Sequence, residues 1–528
     1  MDRRAFIKKG MLMAGLGAVY ASCKVNGRTI SGTIVGQNAG LGHLIRDKKL
    51  SPATTFTEKE VVIIGAGISG LSAARALAKA NVQDVLIIEM DNHSGGNSKW
   101  GKNSYSEYPF GAHYLPIPNN HQEELAAFLQ SCNIITGYTN HLPDYNEAYL
   151  CHAPEDRLYI NNYWQEGVVP NYGIPEADKE TINRFLKEME TFKWQKGNDD
   201  KYFFDIPVSS SSTDSRYRYL DTMTLAQWLS DNHFNSIHLD HYLNYAMKDD
   251  FGTDISQISA WVGIHYFAAR KGKAGNAEPA DILTWPGGNG FLARQLLSQT
   301  NAEISHSSMA YHMEEKENAV FLSYYNGETN EVKGVKAKYV VAALPAFIFR
   351  RLTGNHQPSE IPYSTWMIGN LVVKNDLIER KGAWMSWDNV IYNTNSLGYI
   401  NNNHQLLNRV SERLNLTYYL PFTNGDHATR QKVLDTSYEE WVKTIINDLK
   451  IVHPNIEASI EKADIHLWGH AMVQPKPGWI FGEYRRSLAQ SNSNRIFTAH
   501  TDYAGISIFE EAFYQGWDAA QKIIAHGK

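Results

Sequence analysis

The chain has 528 residues, of which 43% are hydrophobic and 20% charged, and its formal net charge is -6. This length exceeds a single ordinary hydrophobic core, so two joined domains or one very large domain are expected. The weakly acidic balance excludes a general basic surface, so nucleic acid is not expected as a partner, and no apolar run after the first residues is long enough to span a bilayer.

The first 22 residues have the pattern of an export signal. Arg3 and Arg4 open a positive segment, and the apolar run over 11–21 is too short to cross a membrane. The start resembles a twin-arginine signal, and the residues up to Cys23 resemble a lipoprotein cleavage box. These resemblances imply a periplasmic protein or one tethered by a lipid on Cys23; the alternative is a loosely ordered cytoplasmic N-terminus. Residues 23–56, rich in small polar residues, are predicted to be a linker.

A strand, a tight turn and a helix follow in one short stretch. Val61–Ile64 is an apolar run typical of a buried parallel strand, and an Ala/Leu-rich helix follows Gly70. Gly65 permits the sharp turn, Gly67 lets the backbone approach a pyrophosphate, and Gly70 lets the helix lie against the strand. The spacing predicts a dinucleotide-binding turn, against the alternative of an ordinary glycine turn in an α/β protein.

The start of this helix and the end of the next strand complete the motif. The backbone N–H groups at Ile68 and Ser69 lie in the first helical turn, where the helix dipole attracts phosphates. Val85–Ile88 is a second apolar strand, and Glu89 follows it about twenty residues after the glycines, where a carboxylate accepts hydrogen bonds from a ribose. The segment therefore predicts a Rossmann-type nucleotide site.

The residues after Glu89 narrow the prediction to a flavin. Gly95, Gly96, Asn97 and Ser98 come next, and Phe110–Tyr114 follows them. This arrangement resembles the superfamily of flavin amine oxidases and protoporphyrinogen or phytoene oxidoreductases. The resemblance implies that the second glycine pair lies against the FAD pyrophosphate. It also implies that Gly111, Ala112 and His113 run near the isoalloxazine ring.

The later segments resemble the same superfamily. Met309 falls where a hydrophobic residue's backbone meets the adenine, and Asp502 takes the part of an acidic residue that binds a ribityl or phosphate oxygen. The backbone at Ile508 and Phe509 is implied to face flavin O2. A helix N-terminus there stabilises the negative charge of reduced flavin.

The resemblance implies an α/β fold, with a Rossmann-type FAD-binding domain and an inserted mixed α+β substrate domain. The expected FAD-binding segments are 57–115, 285–360 and 465–528. The expected substrate segments are 116–284, with a helical, aromatic composition, and 361–464, with candidate strands at 371–373, 386–392 and 416–420. A hairpin with an Asn-Gly turn is predicted at Asn326 and Gly327.

Three departures from the superfamily bear on the chemistry. Asn97 stands where an arginine is usual, so one positive charge beside the FAD diphosphate is missing. Trp366 stands in the neighbourhood of a lysine that holds a water beside flavin N5, which predicts a more apolar pocket. Every cysteine lies before residue 152, so the cysteine that binds flavin covalently in some relatives is absent and FAD is expected to be non-covalent.

The expected activity is transfer of hydride from a small organic substrate to flavin N5, with reoxidation by oxygen or another acceptor. His470, Tyr503 and Trp366 are the candidate catalytic residues, and His113 is a further residue expected to face the ring. The substrate is expected to be an amine or amino acid, or an apolar polyene or porphyrinogen-like molecule. Two other functions stay open: a flavin protein without its own turnover, and a protein that binds NAD.

Metal binding is not expected. Cys132 and Cys151 have no zinc-like spacing and no nearby histidine repeat. They are expected to be buried thiols, with a single disulfide in an oxidising compartment as the alternative.

Overall fold

The structure is a computed structural model that describes residues 19–25, 28–36, 38–47, 50–354, 361–406, 411–489 and 493–526. The predicted export signal over 1–18 lies outside these residues. The strands, β1 to β22 in chain order, are Val19–Val25, Arg28–Gly36, Thr57–Ile64, Val85–Ile88, Trp100–Lys102, Glu107–Pro109, Tyr114–Pro116, Ile135–Thr139, Leu142–Tyr145, Asp156–Ile160, Tyr163–Glu166, Ile282–Thr284, Glu303–Ser305, Ser308–Lys316, Ala319–Asn326, Glu331–Ala342, Thr365–Lys374, Asp388–Ile391, Gly398–Asn401, Arg413–Phe422, Ile460–Trp468 and Ile496–Thr498.

The α-helices, α1 to α15 in chain order, are Ala39–Asp47, Ile68–Lys79, Glu123–Ser131, Glu176–Lys193, Leu225–Asp231, Ile237–Phe251, Ala260–Ala268, Gly290–Ser298, Ala346–Leu352, His427–Asp435, Tyr438–Leu449, Ile456–Ser459, Glu483–Ala489, Thr501–Ala504 and Phe509–His526. Short 3-10 turns lie at Gly96–Ser98, Val208–Ser210 and Ser215–Thr222.

The nucleotide domain is built on one sheet whose strand order is β13-β4-β3-β16-β15-β14, with β22 beside β16. Strands β13, β4, β3, β16 and β22 are parallel neighbours, and β15 and β14 continue the sheet antiparallel. The predicted hairpin is present, since Asn326 of β15 pairs with Glu331 of β16. Val61 to Ile64 of β3 are buried, as expected of a parallel strand covered on both faces. The predicted Rossmann-type α/β fold class is confirmed.

The substrate domain is built on a second sheet, ordered β1-β2-β21-β17-β20-β19-β18-β10-β11 in the described part of the chain. The candidate strands at 371–373, 386–392 and 416–420 all fall within or overlap its strands. One face of this sheet is covered by α11. Three residues of this helix, Trp441, Ile445 and Leu449, are buried against Met367 and Leu371 of β17. Helices α4 to α7 pack together as an aromatic-rich cap beside this sheet.

The boundaries between the two domains differ from the prediction at two places. Residues 116–150 were expected in the substrate domain, but Phe128, Leu129 and Ile134 are buried with the helices of the nucleotide domain. Strand β21, expected to begin the last nucleotide segment at 465, lies in the substrate sheet and pairs with β17 through Trp468. Both errors have the same cause. The apolar pattern of a helix or strand shows that it is buried, but it does not show which element it packs against.

The predicted linker over 23–56 is wrong. Strand β2 pairs in parallel with β21, and the Thr33 backbone N–H and hydroxyl both donate to Asp464 Oδ1, at 3.0 and 2.7 Å. Helix α1 then packs on the nucleotide domain. The small polar residues that suggested a flexible segment allow close packing instead, because a side chain at Gly32 would collide with the Ala463 carbonyl oxygen.

No helix among the described residues is long and apolar enough to cross a membrane. No group of acidic, histidine and cysteine side chains in that same part of the chain could hold a metal ion. Cys23, Cys132 and Cys151 are free thiols, and Cys23 and Cys151 are buried.

Candidate functional site

The first glycine turn is held by close backbone contacts. Gly65 has a φ of 103°, and a Cβ there would lie 2.3 Å from the Ala343 carbonyl oxygen. A Cβ on Gly70 would lie 1.9 Å from the Gly65 oxygen, so only glycine lets α2 begin so near β3. A Cβ on Gly67 would meet only the Gly96 Cα, at 3.9 Å, so space lies open above this turn. Ile68 and Ser69 are buried in the first turn of α2.

The second glycine pair lies directly beside the first turn. Gly67 and Gly95 form a parallel bridge, and the Gly95 N–H donates to the Ala66 oxygen at 2.8 Å. Gly96 and Asn97 are exposed, whereas Ser98 is buried. The Asn97 side-chain amide donates to the Ala471 oxygen at 2.5 Å, and the Asn97 backbone carbonyl accepts from the Ala112 N–H at 3.0 Å. Asn97 therefore joins segments of the nucleotide site that are far apart in sequence.

We use the term nucleotide groove for the open space bounded by these turns. The turns contain Gly65, Gly67, Gly95 to Asn97, and Gly111. Glu89 lies at one end of it, where its carboxylate accepts from the Ala66 N–H at 2.6 Å and the Asp91 N–H at 2.7 Å. Burial raises the pKa of Glu89 to about 7, and these hydrogen bonds oppose the rise. Met309 is buried near this end. The Ser308 N–H donates to the Glu89 backbone oxygen at 2.8 Å.

The closing motif meets the first motif through two helices. Helix α15 begins at Phe509 and packs along α2, where Ser72 Oγ donates to the Phe513 oxygen at 2.7 Å. A Cβ on Gly516 would lie 1.9 Å from the Ser69 oxygen, so these helices touch. Ile508 stays partly accessible just before the helix. The structure thus brings the first glycine motif and the closing motif to one side of the nucleotide sheet.

Asp502 is completely buried between these segments. Its Oδ2 accepts from the Ala346 N–H at 2.9 Å and from the Tyr363 hydroxyl. Burial alone would raise the pKa of Asp502, but His500 and the hydrogen bonds from Tyr363 and Ala346 lower it. Asp502 is therefore an anion that joins the end of β16 to the substrate domain.

Two of the predicted ring-facing residues lie in one aromatic cluster. The His113 ring centroid lies 4.7 Å from that of Tyr419 and 5.5 Å from that of Trp387. Trp366 belongs to the same cluster, and its Nε1 donates to Ser364 Oγ at 3.0 Å. Burial lowers the pKa of His113 to about 4, so the ring is neutral near pH 7. The Tyr419 hydroxyl donates to the Gly111 oxygen at 3.0 Å, which places the cluster at the end of the nucleotide groove.

His470 and Tyr503 lie on the other side of the segment 363–366. The His470 ring lies 4.7 Å from Phe347 and 5.5 Å from Tyr363, centroid to centroid. The pKa of His470 is lowered to about 3, mainly by burial and secondly by the positive charge of Arg430. Tyr503 is buried with the cap helices, and its hydroxyl has no hydrogen-bond partner among the described residues. The three predicted catalytic residues thus have different packing partners: Trp366 packs in the aromatic cluster, His470 beside Phe347 and Tyr363, and Tyr503 with the cap helices.

A group of acidic side chains beside His113 was missed by the sequence interpretation. The Tyr114 hydroxyl lies 3.1 Å from Asp249 Oδ2 and 3.0 Å from Asp250 Oδ1. The Tyr245 hydroxyl donates to Asp388 Oδ2 at 2.5 Å. We call these five residues, Tyr114, Tyr245, Asp249, Asp250 and Asp388, the acidic wall. The signal in the sequence was the pair of adjacent aspartates near the end of a helix that also carries several large apolar residues.

The acidic wall brings three carboxyl groups together beside one arginine. Arg270 lies 3.6 Å from Asp250, but it is closer to Glu510, at 2.9 Å. Burial raises the pKa of Asp249 and Asp250 to about 6, and it raises that of Asp388 well above its usual range. Asp249 and Asp250 are still partly accessible to solvent. A positively charged ligand would stabilise this arrangement.

The similarity of this chain to known sequences includes the first glycine motif. A family model for a NAD(P)-binding Rossmann-like domain matches residues 63–132. Polyamine oxidase 7 of Oryza sativa subsp. japonica is 56% identical over 36 residues, which are 7% of this chain and 8% of that protein. L-amino-acid oxidase BjussuLAAO-I of Bothrops jararacussu is 39% identical over 70 residues, 13% of this chain and 14% of that protein. dTDP-fucopyranose mutase of Escherichia coli is 28% identical over 130 residues, 24% of this chain and 33% of that protein.

These matches span a third or less of each relative's own length. The similarity to solved structures covers a much larger share of this chain than the sequence matches do. Putrescine oxidase bound to putrescine superposes with a TM-score of 0.62 at 15% identity, over 89% of this chain and 100% of that one. Cyclohexylamine oxidase from Brevibacterium oxydans IH-35A superposes with a TM-score of 0.64 at 15% identity, over 89% and 99%. The chain has the fold of these oxidases.

Proposed function

We propose that this protein is an oxidoreductase that binds FAD without a covalent bond and oxidises a small, positively charged amine. The residues of the nucleotide groove support the assignment of FAD as the cofactor. The open space above Gly67 suits a diphosphate, the first turn of α2 supplies N–H groups, and Glu89 suits a ribose. Gly111, Ala112 and His113 would flank the flavin, with Ile508 and Phe509 at its O2 edge, and the fully buried Asp502 would hold the surrounding segments in place without touching the ribityl chain.

The acidic wall is the observation that carries the choice of an amine. One hydroxyl hydrogen on Tyr114 cannot satisfy both Asp249 and Asp250, which lie at nearly equal distances from it. Three carboxylates with a single shared arginine favour a ligand that brings positive charge. The neighbouring rings of Tyr419 and Trp387 offer π faces to the same cation.

The chain's own residues would act in three ways. The acidic wall attracts a protonated amine, and Asp249 or Asp250, with a pKa of about 6, accepts the proton that the amine must lose before oxidation. The aromatic cluster around Trp366 excludes water and orients the C–H bond. FAD, when bound, supplies the acceptor for the hydride. His113 and His470 stay neutral at pH 7, so neither repels the substrate.

A second substrate class has one observation in its favour. Trp366, Trp387, Tyr419 and Trp468 are buried together, and an apolar polyene or porphyrinogen-like molecule would pack well on such rings. The acidic wall beside them opposes this, because its carboxylates would lose solvation without gaining a partner. An electron carrier without its own turnover would need no such wall.

The test is anaerobic mixing of the purified protein with a substrate panel while the flavin absorbance is followed. We expect a yellow protein whose flavin bleaches with primary amines or diamines and not with a polyene, a porphyrinogen or a neutral alcohol. Bleaching by the apolar compounds alone would replace the amine proposal with the second class. A yellow protein that no compound reduces would favour the carrier, and a colourless protein that takes up NAD instead of FAD would reject the cofactor.

We also propose export through the twin-arginine route, on the strength of Arg3 and Arg4. A lipid on Cys23 is less compatible with the fold. The Cys23 side chain is 4% exposed within β1, so an acyl chain there requires this strand to leave the sheet. The mass of the mature N-terminus, measured on protein from a periplasmic fraction, tests both points. An uncleaved chain confined to the cytoplasm would reject export, and an unmodified mature N-terminus would reject the anchor.

A further inference from the structure

Helix α1 lies against the end of the nucleotide groove that was predicted to bind adenine. Leu41 is 6% exposed and is buried with Met309 and Tyr325. Leu44 and Ile45 pack on the same apolar cluster, which also includes Met90, the residue after Glu89. This face of α1 therefore contacts the residues on both sides of the predicted adenine site, from β4 and from β14.

Polar and backbone contacts set the position of α1. The Asn38 side-chain amide donates to the Met90 oxygen at 3.2 Å just before the helix begins. A Cβ on Gly42 would lie 3.0 Å from Met90 Sδ, so the helix backbone itself approaches the strand end. The charge of His43 on the same helix contributes to the lowered pKa of His470, so α1 also lies within electrostatic range of that residue.

The segment before α1 is fixed to the other domain. Strand β2 is hydrogen-bonded to β21 of the substrate sheet, and Thr33 donates twice to Asp464. The residues from β2 to α1 thus cross from the substrate sheet to the outer edge of the nucleotide site. A helix whose preceding segment is already fixed costs less to order around a ligand than a free one.

We propose that α1 is the outer wall of the adenosine pocket, so that it holds the adenosine half of FAD and not the flavin half. This inference rests on the proposed function, since it takes FAD as the ligand. Leu41 would supply apolar contact to the adenine beside Met309. FAD release then requires α1 to leave the nucleotide domain, and the helix stabilises the holoprotein once the cofactor is bound.

The first experiment uses hydrogen exchange on the full wild-type chain, measured over residues 39–47. With FAD at about a hundred times its Kd, exchange in α1 is expected to slow by about a hundredfold, since opening then competes with binding. ADP is expected to protect α1 in the same way, and FMN is not. Equal exchange with and without FAD would overturn the inference.

The second experiment uses Leu41→Asp, with Gly40→Asp as the matched control because Gly40 is exposed on the same helix. The apoprotein is titrated with FAD and with FMN by flavin fluorescence. Leu41→Asp is expected to raise the Kd for FAD by about tenfold or more, equal to about 1.4 kcal/mol, and to leave FMN binding unchanged. Gly40→Asp is expected to change neither.

The outcomes separate this inference from the function on which it rests. A wild-type chain that binds neither FAD nor ADP overturns both. A chain that binds FAD but gives the same affinity with Leu41→Asp overturns only the role of α1. Tighter FAD binding by Leu41→Asp overturns it too, because α1 would then compete with adenine for the pocket. If Leu41→Asp does not fold, the exchange measurement on the wild-type chain decides.

Discussion

The nucleotide groove and the acidic wall lie next to each other but are made in different ways. The groove consists mainly of backbone from glycine turns, and the glycines of its first turn lie within six consecutive residues, 65–70. The acidic wall consists of side chains from three separate places, Tyr114, α6 and β18. A site made of backbone depends on local sequence, whereas a site made of side chains depends on tertiary packing. Substitutions in the nucleotide groove and in the acidic wall should therefore impair the protein in different ways.

Gly70→Ala should have the largest effect. The new Cβ would lie 1.9 Å from the Gly65 oxygen, and a clash with backbone cannot be relieved by rotating a side chain. We expect a loss of stability of several kcal/mol and little soluble protein, because the start of α2 must move away from β3. Thermal unfolding of whatever protein is recovered measures the effect. Gly137→Ala is the control, since its Cβ would meet only Asp144 Oδ2, at 3.8 Å. Equal stability of both variants would contradict the tight turn.

Gly67→Ala should separate folding from cofactor binding. This residue has a φ of -74°, and its Cβ has no protein atom closer than 3.9 Å, so alanine fits the protein alone. The methyl group would occupy the space proposed for the diphosphate. We expect the unfolding temperature of the apoprotein to stay within about 2 °C of wild type, while the Kd for FAD rises by about a hundredfold or more. Normal FAD binding would show that the diphosphate lies elsewhere.

Asp249→Asn should lower kcat/KM for an amine by about a hundredfold, a typical loss when one charged group of a buried site is neutralised. Asp240→Asn is the matched control, since it lies nine residues earlier on α6, on the opposite side of that helix. Steady-state kinetics gives the comparison, with FAD content measured for each variant. An equal loss in both variants would assign the effect to α6 as a whole.

The same substitution should stabilise the protein near neutral pH. The folded pKa of Asp249 is raised to about 6, so the folded state binds a proton more tightly than the unfolded state, and stability present below about pH 4 is lost as the pH rises through 6. Asp249→Asn removes this loss. We expect a gain of up to about 3 kcal/mol at pH 7.5 and none at pH 4, measured by urea unfolding. A gain that is equal at both pH values would point to packing instead of charge.

Trp366→Phe should have the smallest effect. It removes the hydrogen bond from Nε1 to Ser364 Oγ but keeps an aromatic ring in the cluster. A cost of about 1 kcal/mol in stability and a change in kcat of less than about fivefold are expected. Thermal unfolding and single-turnover flavin reduction measure the two quantities. A loss of activity as large as that of Asp249→Asn would make Trp366 a catalytic residue.

The sequence was informative where spacing along the chain decides the structure. The turn at Gly65 to Gly70, the strand ending at Glu89 and the hairpin at Asn326 were all predicted, because each depends on neighbours a few residues away. The acidic wall was not, since nothing near Asp249 in sequence reveals that Tyr114 lies 3.1 Å from it. Residues 23–56 were misjudged because small polar residues are typical of linkers and of tight packing alike.

The long reach of β2 has a consequence for the order of assembly. Thr33 and its partner Asp464 are separated by 431 positions, so this edge of the substrate sheet cannot close until almost the whole polypeptide has left the ribosome. Until then β2 lacks its neighbour β21 and can pair only with β1. Docking of β2 into the sheet is thus a late step of folding, because it must follow the synthesis of nearly all the strands and helices between the two partners.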